Sequence, residues 1–364
     1  MTTIHSIGLF HTQPSGDFSH CAYTNRVRTF PKMMKPFGYE VIEYSNEGSE
    51  SEADEIVVML TKDEFYPLQA KMNAAPPHGE ASTDSDIYRA FVEKLTPEIT
   101  KRAKPGDIVM HYFGHSYVYL SNLLPQCHHI EGPIGYVGGN LPLRIYETYQ
   151  WWSYNQGHDN RAGNSYQWVC PMGYDVDEWE PSYDQGEYLL YFGRVIECKG
   201  LYTVMEIAKN VDMPVIMCGS GTPEQFLSDD IPNLTYRKPV TGLARSELLR
   251  GAYAMLMPTQ YTEPFGGAGV EGQMCGTPLI ASDFGAFSET VIHGYSGFRC
   301  KTLGDYLAAI RGVKQLNRRA IASEARSKYS LQNVGAQMDK IFKQAQALNG
   351  KGWYSLEPTD AIWR

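Results

Sequence analysis

Short apolar runs alternate with amphipathic stretches along most of this chain. IHSIGLF (4–10) stops at HTQPSGDFSH, which predicts a buried strand, a turn and then a helix from about Ser19. YEVIEY (39–44) predicts a second strand, the acidic SNEGSESEADE (45–55) a surface loop, and IVVMLT (56–61) a third strand. Residues 66–86, with AAPPHGEASTDSD, read as a long exposed loop. DIYRAFVEKLTPEITKRA (86–103) has helical spacing that Pro97 is expected to break, and PGDIVMHYFG (105–114) reads as turn, strand, loop.

The second half repeats this order more cleanly. EYLLYFGR (187–194) predicts a strand and loop, KGLYTVMEIAKNV (199–211) an amphipathic helix, and MPVIMCGSG (213–221) a strand and glycine turn. LARSELLRGA (243–252) reads as helix, YAMLMP (253–258) as strand, VEGQMCG (270–276) as helix and TPLIAS (277–282) as strand. Strands apolar on both faces, alternating with helices, predict α/β architecture with a parallel, doubly wound sheet in each half. The joint falls near VCPMGYDVDEWEPSYDQ (169–185). SLQNVGAQMDKIFKQAQAL (330–348) predicts a last helix with Ser330 as N-cap, and WYSLEPTDAIWR (353–364) is expected to pack back on the body.

Composition narrows the class. At 364 residues the chain suits two domains, and its 43% hydrophobic and 20% charged content suits a soluble globular protein. It has no apolar run of eighteen residues, and its N-terminus lacks the basic start and apolar run of a secretory signal. Seven scattered cysteines without a C-x-x-C argue against a disulfide framework or zinc ribbon, so a reducing, cytoplasmic setting is expected. A net charge of −9 argues against general nucleic-acid binding, although Arg26, Arg28, Lys32 and Lys35 form one basic cluster, read first as a solvated helix face.

The most informative stretch is TEPFGGAGVEGQMCGTPLIAS (262–282), in which Glu263 and Glu271 flank a glycine-rich turn. On one continuous helix they would be about 12 Å and roughly 80° apart, too far to share a small group. Pro264 pushes Glu263 into an extended or turn conformation, on the loop after YAMLMP. Gly266, Gly267 and Gly269 let the backbone approach a ligand and enter a helix whose early turn carries Glu271. Two carboxylates suit sugar hydroxyls, and the unpaired amides between them suit phosphate. A nucleotide-sugar has that layout. FGRVIECKG (192–200) adds Arg194 and Lys199, two cations that can reach a pyrophosphate at the carboxyl edge of the sheet.

With these pieces in view, residues 188–298 resemble the donor-binding half of retaining glycosyltransferases of the GT-B fold, family 4. The resemblance is carried by YFGRVIECKGL, VIMCGSG and AYAMLMPTQYTEPFGGAGVEGQMCGTPLIASDFGAFSETVIHGYSGF. It implies two doubly wound Rossmann-like domains facing across a cleft. Their expected extents are 1–175 for an acceptor-binding domain and 176–340 for a donor-binding domain, with 341–364 as a tail packing toward the first. The resemblance further implies that Arg194 and Lys199 hold the diphosphate, Glu263 the donor sugar's hydroxyls and Glu271 the ribose. Backbone amides from Phe265 through Gly266 to Gly267 would line the sugar–phosphate. Family members often have two glycines before the next acid, whereas this chain has Gly285-Ala286-Phe287 before Glu289. A family histidine after an N-domain strand faces the cleft, a place that His111 fits best and His115 second.

The remaining signals are weaker. HYFGH (111–115) lacks the glutamate of a zinc-protease helix, and His128-His129 is weaker still. DSD (84–86) and DVD (175–177) resemble metal-carrying pairs but structural roles suit both better, with Ser85 or Asp86 as a helix cap and DVD in the joint between the halves, so no essential metal and no cofactor are expected. Gly16, in the loop after the first strand, could let the backbone approach the donor phosphate or the acceptor. The aromatic YETYQWWSYNQG (146–157) suits stacking or a core equally. The expected function is a retaining, metal-independent transfer of a sugar from a nucleoside diphosphate sugar to a hydroxyl of a glycan, lipid, small molecule or modified nucleic acid. Open alternatives are a DNA-modifying glycosyltransferase, an epimerase or phosphorylase on the same fold, and a non-catalytic sugar binder.

Overall fold

The computed structural model describes residues 2–18, 21–74, 82–159 and 167–348. Contacts divide the chain into two units. The first holds residues up to Glu147, Asn155–Gly173 and the C-terminal helix; the second holds Thr148–Tyr154 and Tyr174–Ser330. The last helix, which the expected boundary at 340 would split, thus groups with the first unit.

The first part of the chain forms, in order, β1 (Thr3–Ile7), α1 (Ala22–Met34), β2 (Glu40–Ser45), β3 (Glu55–Val58), α2 (Lys62–Ala74), α3 (Asp86–Arg102) and β4 (Ile108–His111). It continues with α4 (Leu120–Leu123), β5 (His128–Ile134), β6 (Leu143–Tyr146), α5 (Tyr149–His158) and β7 (Gln167–Val169). The sheet order is β3-β2-β1-β4-β5-β6-β7, all parallel. Both faces are covered. Ile87, Phe91, Leu95 and Ile99 line one stripe of α3 at four-residue intervals and pack with Ile7, Ile42 and Val109 of the sheet. On the other face Val27, Phe30 and Met34 of α1 pack with Ile4, Val41, Ile108 and Ile130.

The second unit contains β8 (Tyr188–Phe192), α6 (Leu201–Lys209), β9 (Val215–Cys218), β10 (Leu234–Arg237), α7 (Gly242–Arg250) and β11 (Ala252–Met257). Then follow α8 (Gly267–Met274), β12 (Leu279–Ser282), α9 (Phe287–Thr290), β13 (Gly297–Cys300), α10 (Leu303–Gly312) and α11 (Arg318–Tyr329). Its sheet order is β10-β9-β8-β11-β12-β13, again all parallel. Leu201, Val204 and Ile207 of α6 pack with Tyr306, Ala309 and Ile310 of α10 over Leu189, Val215, Ala254 and Leu256. The closing helix α12 (Leu331–Leu348) returns to α1 in the first unit, bringing Val334, Met338 and Phe342 into its core. Residues 349–364, most of the expected tail, lie outside the described residues.

In each sheet the chain winds outward from a first strand and then reverses across it. The reversal falls between β1 and β4 in one unit and between β8 and β11 in the other. Open α/β sheets bind ligands at the carboxyl ends of the strands at such a point.

Three local expectations are corrected. Pro97 does not break α3, which runs unbroken through it. The carbonyl it leaves without an amide partner is that of exposed Glu93, while Leu95 and Ile99 anchor the helix on either side. Part of the expected loop 66–86 is helix α2, held by buried Phe65 and Met72 around Pro67; residues 75–81 lie outside the described residues. The third strand ends at Val58, with Ile56 and Val58 exposed at the sheet edge. Ser85 does cap α3, its hydroxyl accepting from the Tyr88 amide at 3.4 Å, and Asp175 caps its own short turn through the Asp177 amide at 3.2 Å.

Candidate functional site

In the second unit the loop after β8 runs from Gly193 to Gly200 and the loop after β11 from Pro258 to Gly266. They meet at Gly200. Its φ is 79°, and a Cβ there would stand 1.9 Å from the Pro258 carbonyl oxygen, so only glycine lets α6 start this close to the chain leaving β11. The Gln260 amide donates to the Cys198 carbonyl at 2.8 Å across the same junction. This contact delivers Lys199 to the second loop. Its Nζ lies 2.7 Å from Glu263 Oε2 and 2.7 Å from the Tyr261 hydroxyl, and 4.8 Å from the centre of the Tyr261 ring.

Glu263 is turned inward, with 8% of its surface exposed. Its carbonyl accepts from the Ala286 amide at 3.1 Å, which ties it to the loop after β12. Tyr261 sits beside it, its hydroxyl pKa pushed up by burial and by the Glu263 charge. Arg194, exposed in the first loop, makes no ion pair or side-chain hydrogen bond among the described residues, and its charge acts on Tyr191 and Tyr261.

After Pro264 the chain turns into α8 through Gly266, which has a φ of 75°. A side chain there would meet the Phe287 ring at 2.8 Å. The amides of Phe265, Gly266, Gly267 and Ala268 donate to no protein acceptor among the described residues. These are the orphan donors of a helix start, and with the helix dipole they favour an anion. The Phe265 side chain is an anchor, buried between the rings of Tyr174 and Tyr329, so only its backbone is offered to a ligand. Gly269 serves packing: a Cβ there would strike Leu279 at 2.5 Å.

Glu271 lies deeper than its expected ribose contact suggests. It is 5% exposed and paired with the Arg245 guanidinium from α7. Burial raises its pKa, and the Arg245 charge opposes that rise. Arg245 and Tyr261 were not among the expected site residues. Arg245 occupies the buried stripe of α7 that Leu248 and Leu249 continue, so a cation within LARSELLRG at that spacing was the available signal. Glu289 is engaged elsewhere, accepting from the amides of Tyr149 (3.1 Å) and Gln150 (2.8 Å) at the start of α5.

The two expected site residues of the first unit have other partners. His111 ends β4 but is 1% exposed, with Nε2 3.0 Å from Nδ1 of His129. His129 Nε2 lies 2.9 Å from the Leu124 carbonyl, which can only accept, so His129 donates there and accepts from His111. Burial and the neighbouring His129 bring the His111 pKa down to about 3. It is a neutral core histidine, not a ring presented to a ligand. His115, the second choice, is exposed. Gly16, expected to let its loop approach the donor phosphate or the acceptor, donates its amide to Glu50 Oε2 at 2.7 Å.

A cavity of about 560 Å³ adjoins Pro258–Gln260, between the starts of α6 and α10. None of Arg194, Lys199, Glu263 or Glu271 lines it. Its polar lining is largely satisfied internally: Ser282 donates to the Thr259 carbonyl, Asp283 pairs with Arg299 and Lys301, and Thr302 caps α10. Among the described residues no group of three or more His, Cys, Asp or Glu could hold a metal ion, and no helix is long and apolar enough to cross a membrane.

Residues 177–332 match the model of the family described as glycosyl transferases group 1. That segment is similar to the group 1 glycosyl transferases. A glycogen synthase of Mycobacterium tuberculosis is 29% identical over 177 residues, covering 43% of this chain and 42% of that protein. The chain thus spans less than half the length of that curated relative. Among solved structures, a sucrose-phosphate synthase from Thermosynechococcus elongatus matches with a TM-score of 0.69 at 15% identity, over 94% of this chain and 99% of that one. The Anabaena protein HepE, solved in complex with UDP-glucose, matches with a TM-score of 0.62 at 13% identity, over 93% and 98%. These likenesses reach beyond the matched segment to both units and establish the expected fold class, two parallel-sheet Rossmann-like domains of the GT-B kind.

Proposed function

We propose that the protein is a retaining glycosyltransferase that moves a sugar from a nucleoside diphosphate sugar to a hydroxyl acceptor. The observation that carries this reading is Lys199 held 2.7 Å from Glu263 in a loop that continues into the unpaired amides of Phe265–Ala268. Cations, oriented amides and an inward carboxylate at one strand-end crevice suit a diphosphate joined to a sugar. Lys199, Arg194 and the amides take the diphosphate, Glu263 the sugar hydroxyls and Glu271 the ribose. The first unit binds the acceptor.

In the transfer, the bond from the anomeric carbon to the phosphate oxygen breaks and one to the acceptor oxygen forms on the same face. The acceptor proton passes to the leaving diphosphate. Lys199, Arg194 and the helix start stabilise the negative charge that grows there, the usual electrostatic contribution. These groups provide the positive charge without a metal. All seven cysteines are unpaired, which suits a cytoplasmic setting. HepE was solved with UDP-glucose, so UDP-glucose is the first donor to try.

The test is nucleoside diphosphate release from UDP-glucose, GDP-mannose and ADP-glucose, with and without saccharide, lipid and hydroxylated-nucleotide acceptors, followed by proton NMR of the product's anomeric signal. Acceptor-dependent release and a product with the donor's anomeric configuration are expected. An inverted product would overturn retention, and no release from any pairing would overturn transfer.

A further inference from the structure

We propose that Arg245 is the positioning residue for Glu271, holding that carboxylate ionised and aimed so that it can accept the donor's ribose hydroxyls. This deepens, and rests on, the donor-site reading above.

Glu271 belongs to the second turn of α8, where 5% of its surface remains exposed, and Arg245 reaches it from α7 while itself 8% exposed. The guanidinium lies over two aromatic rings, 4.9 Å from the centre of Phe192 and 5.5 Å from that of Trp179. A planar cation held by ring faces has its plane set before it meets the carboxylate, which a flexible ammonium does not. Phe192 is the last residue of β8, immediately before the loop that carries Arg194 and Lys199. Arg245 therefore links the ribose carboxylate to the strand end that presents the phosphate cations.

A buried carboxylate in this place needs such a partner. An ionised carboxylate accepts from both hydroxyls of a vicinal diol, whereas a protonated one loses an acceptor site and gains a donor. Burial pushes Glu271 toward the protonated form, as does the nearby Glu178 charge from the segment before β8; Arg245 pushes back. Cys275, at the end of the same helix, feels Glu271 in turn. From α11, Arg326 is bound to the carbonyls of Val176 and Trp179. Remove Arg245 and the pKa of Glu271 rises, so ionisation, and with it ribose binding, requires a higher pH.

The experiment is calorimetric titration of UDP, GDP and ADP and their 2′,3′-dideoxy counterparts, from pH 6 to 9. In the wild type, the nucleotide that binds best is expected to bind about 10- to 100-fold more tightly than its dideoxy form, with little pH dependence. In Arg245→Met that ratio should fall close to one at pH 7 and recover as the pH rises. Arg245→Lys should keep an intermediate ratio. The double variant Arg245→Met/Glu271→Gln, which carries no uncompensated buried charge and serves if the single variant fails to fold, should bind no more weakly than Glu271→Gln alone. A wild type that ignores the ribose hydroxyls would overturn the role of Glu271 itself. A wild type that discriminates, beside an Arg245→Met whose ratio and pH profile are unchanged, would overturn the proposal for Arg245 and leave the donor site standing. If the single variant does not fold, a double variant weaker than Glu271→Gln does the same.

Discussion

Lys199 and Glu263 are 64 positions apart in the chain, yet the ammonium nitrogen of one lies 2.7 Å from a carboxylate oxygen of the other. Their side chains are 12% and 11% exposed, so neither charge is well solvated when its partner is removed. Lys199→Met should therefore destabilise the protein by about 3 kcal/mol, and adding Glu263→Gln should recover most of the loss. Urea melts of the two single variants and the double variant check this. Additive losses would mean that the pair is not coupled.

Gly200 makes that pairing possible. Gly200→Ala would put a Cβ 1.9 Å from the Pro258 carbonyl at a φ of 79°. A loss of several kcal/mol or a displaced Lys199 is expected, because both the backbone conformation and the close approach exclude a side chain. Thermal melts and nucleotide titrations should show lowered stability together with at least tenfold weaker binding. A fully stable variant with unchanged affinity would mean that the junction yields freely.

Acid should unfold the first unit early. The pKa of His111 lies near 3 and that of His11 near 4, and those of His5, His128 and His129 are also lowered, each chiefly by burial. Below about pH 6.5 the unfolded chain binds protons that the folded chain refuses, so stability falls as pH drops from 6.5 toward 4. Each such group contributes about 1.4 kcal/mol per pH unit within its window. Glu43 and Glu271, whose pKa values are raised by burial, act in the opposite direction. Denaturant melts at pH 7.5, 6 and 5 should show the decline, and His111→Gln should flatten it. An equal slope in that variant would show that His111 does not titrate in this range.

Transfer is expected to survive a chelator. The groups proposed to meet the diphosphate are Lys199, Arg194 and the amides of Phe265–Ala268, which carry positive charge or its partial equivalent without a bound ion. Turnover measured with and without EDTA should agree within about twofold. Loss of activity, restored by a divalent cation, would require a metal site that these residues do not provide.

The second unit was legible in the chain because its strands are plain apolar runs. YLLYF, VIMC, AYAMLM and LIAS stand apart from the helices between them, and Pro264 separates Glu263 from α8. The first unit hid its inner strand β5, HHIEGPI, whose His128, His129 and Glu131 are polar yet buried. Glu131 accepts from the amides of Asn140 and Leu141, nine and ten residues on, beyond the reach of a strand's alternating pattern. The same limit applies to His111 and Gly16. His111 ends β4, where its direction is set by His129 on the neighbouring strand. The Gly16 amide in the loop after β1 is taken by Glu50. Burial of α2 through only Phe65 and Met72 left too little periodicity to outweigh Pro67.

The most direct test of the donor site is calorimetric binding of UDP, GDP and ADP to the wild type and to Lys199→Met, with folding checked by circular dichroism. The wild type should bind at least one of the three, and the variant, still folded, should bind that nucleotide at least tenfold more weakly. Equal affinity in both proteins, or no binding of any of the three by the wild type, would contradict the assignment of Lys199, Glu263 and the start of α8 to an activated-sugar site.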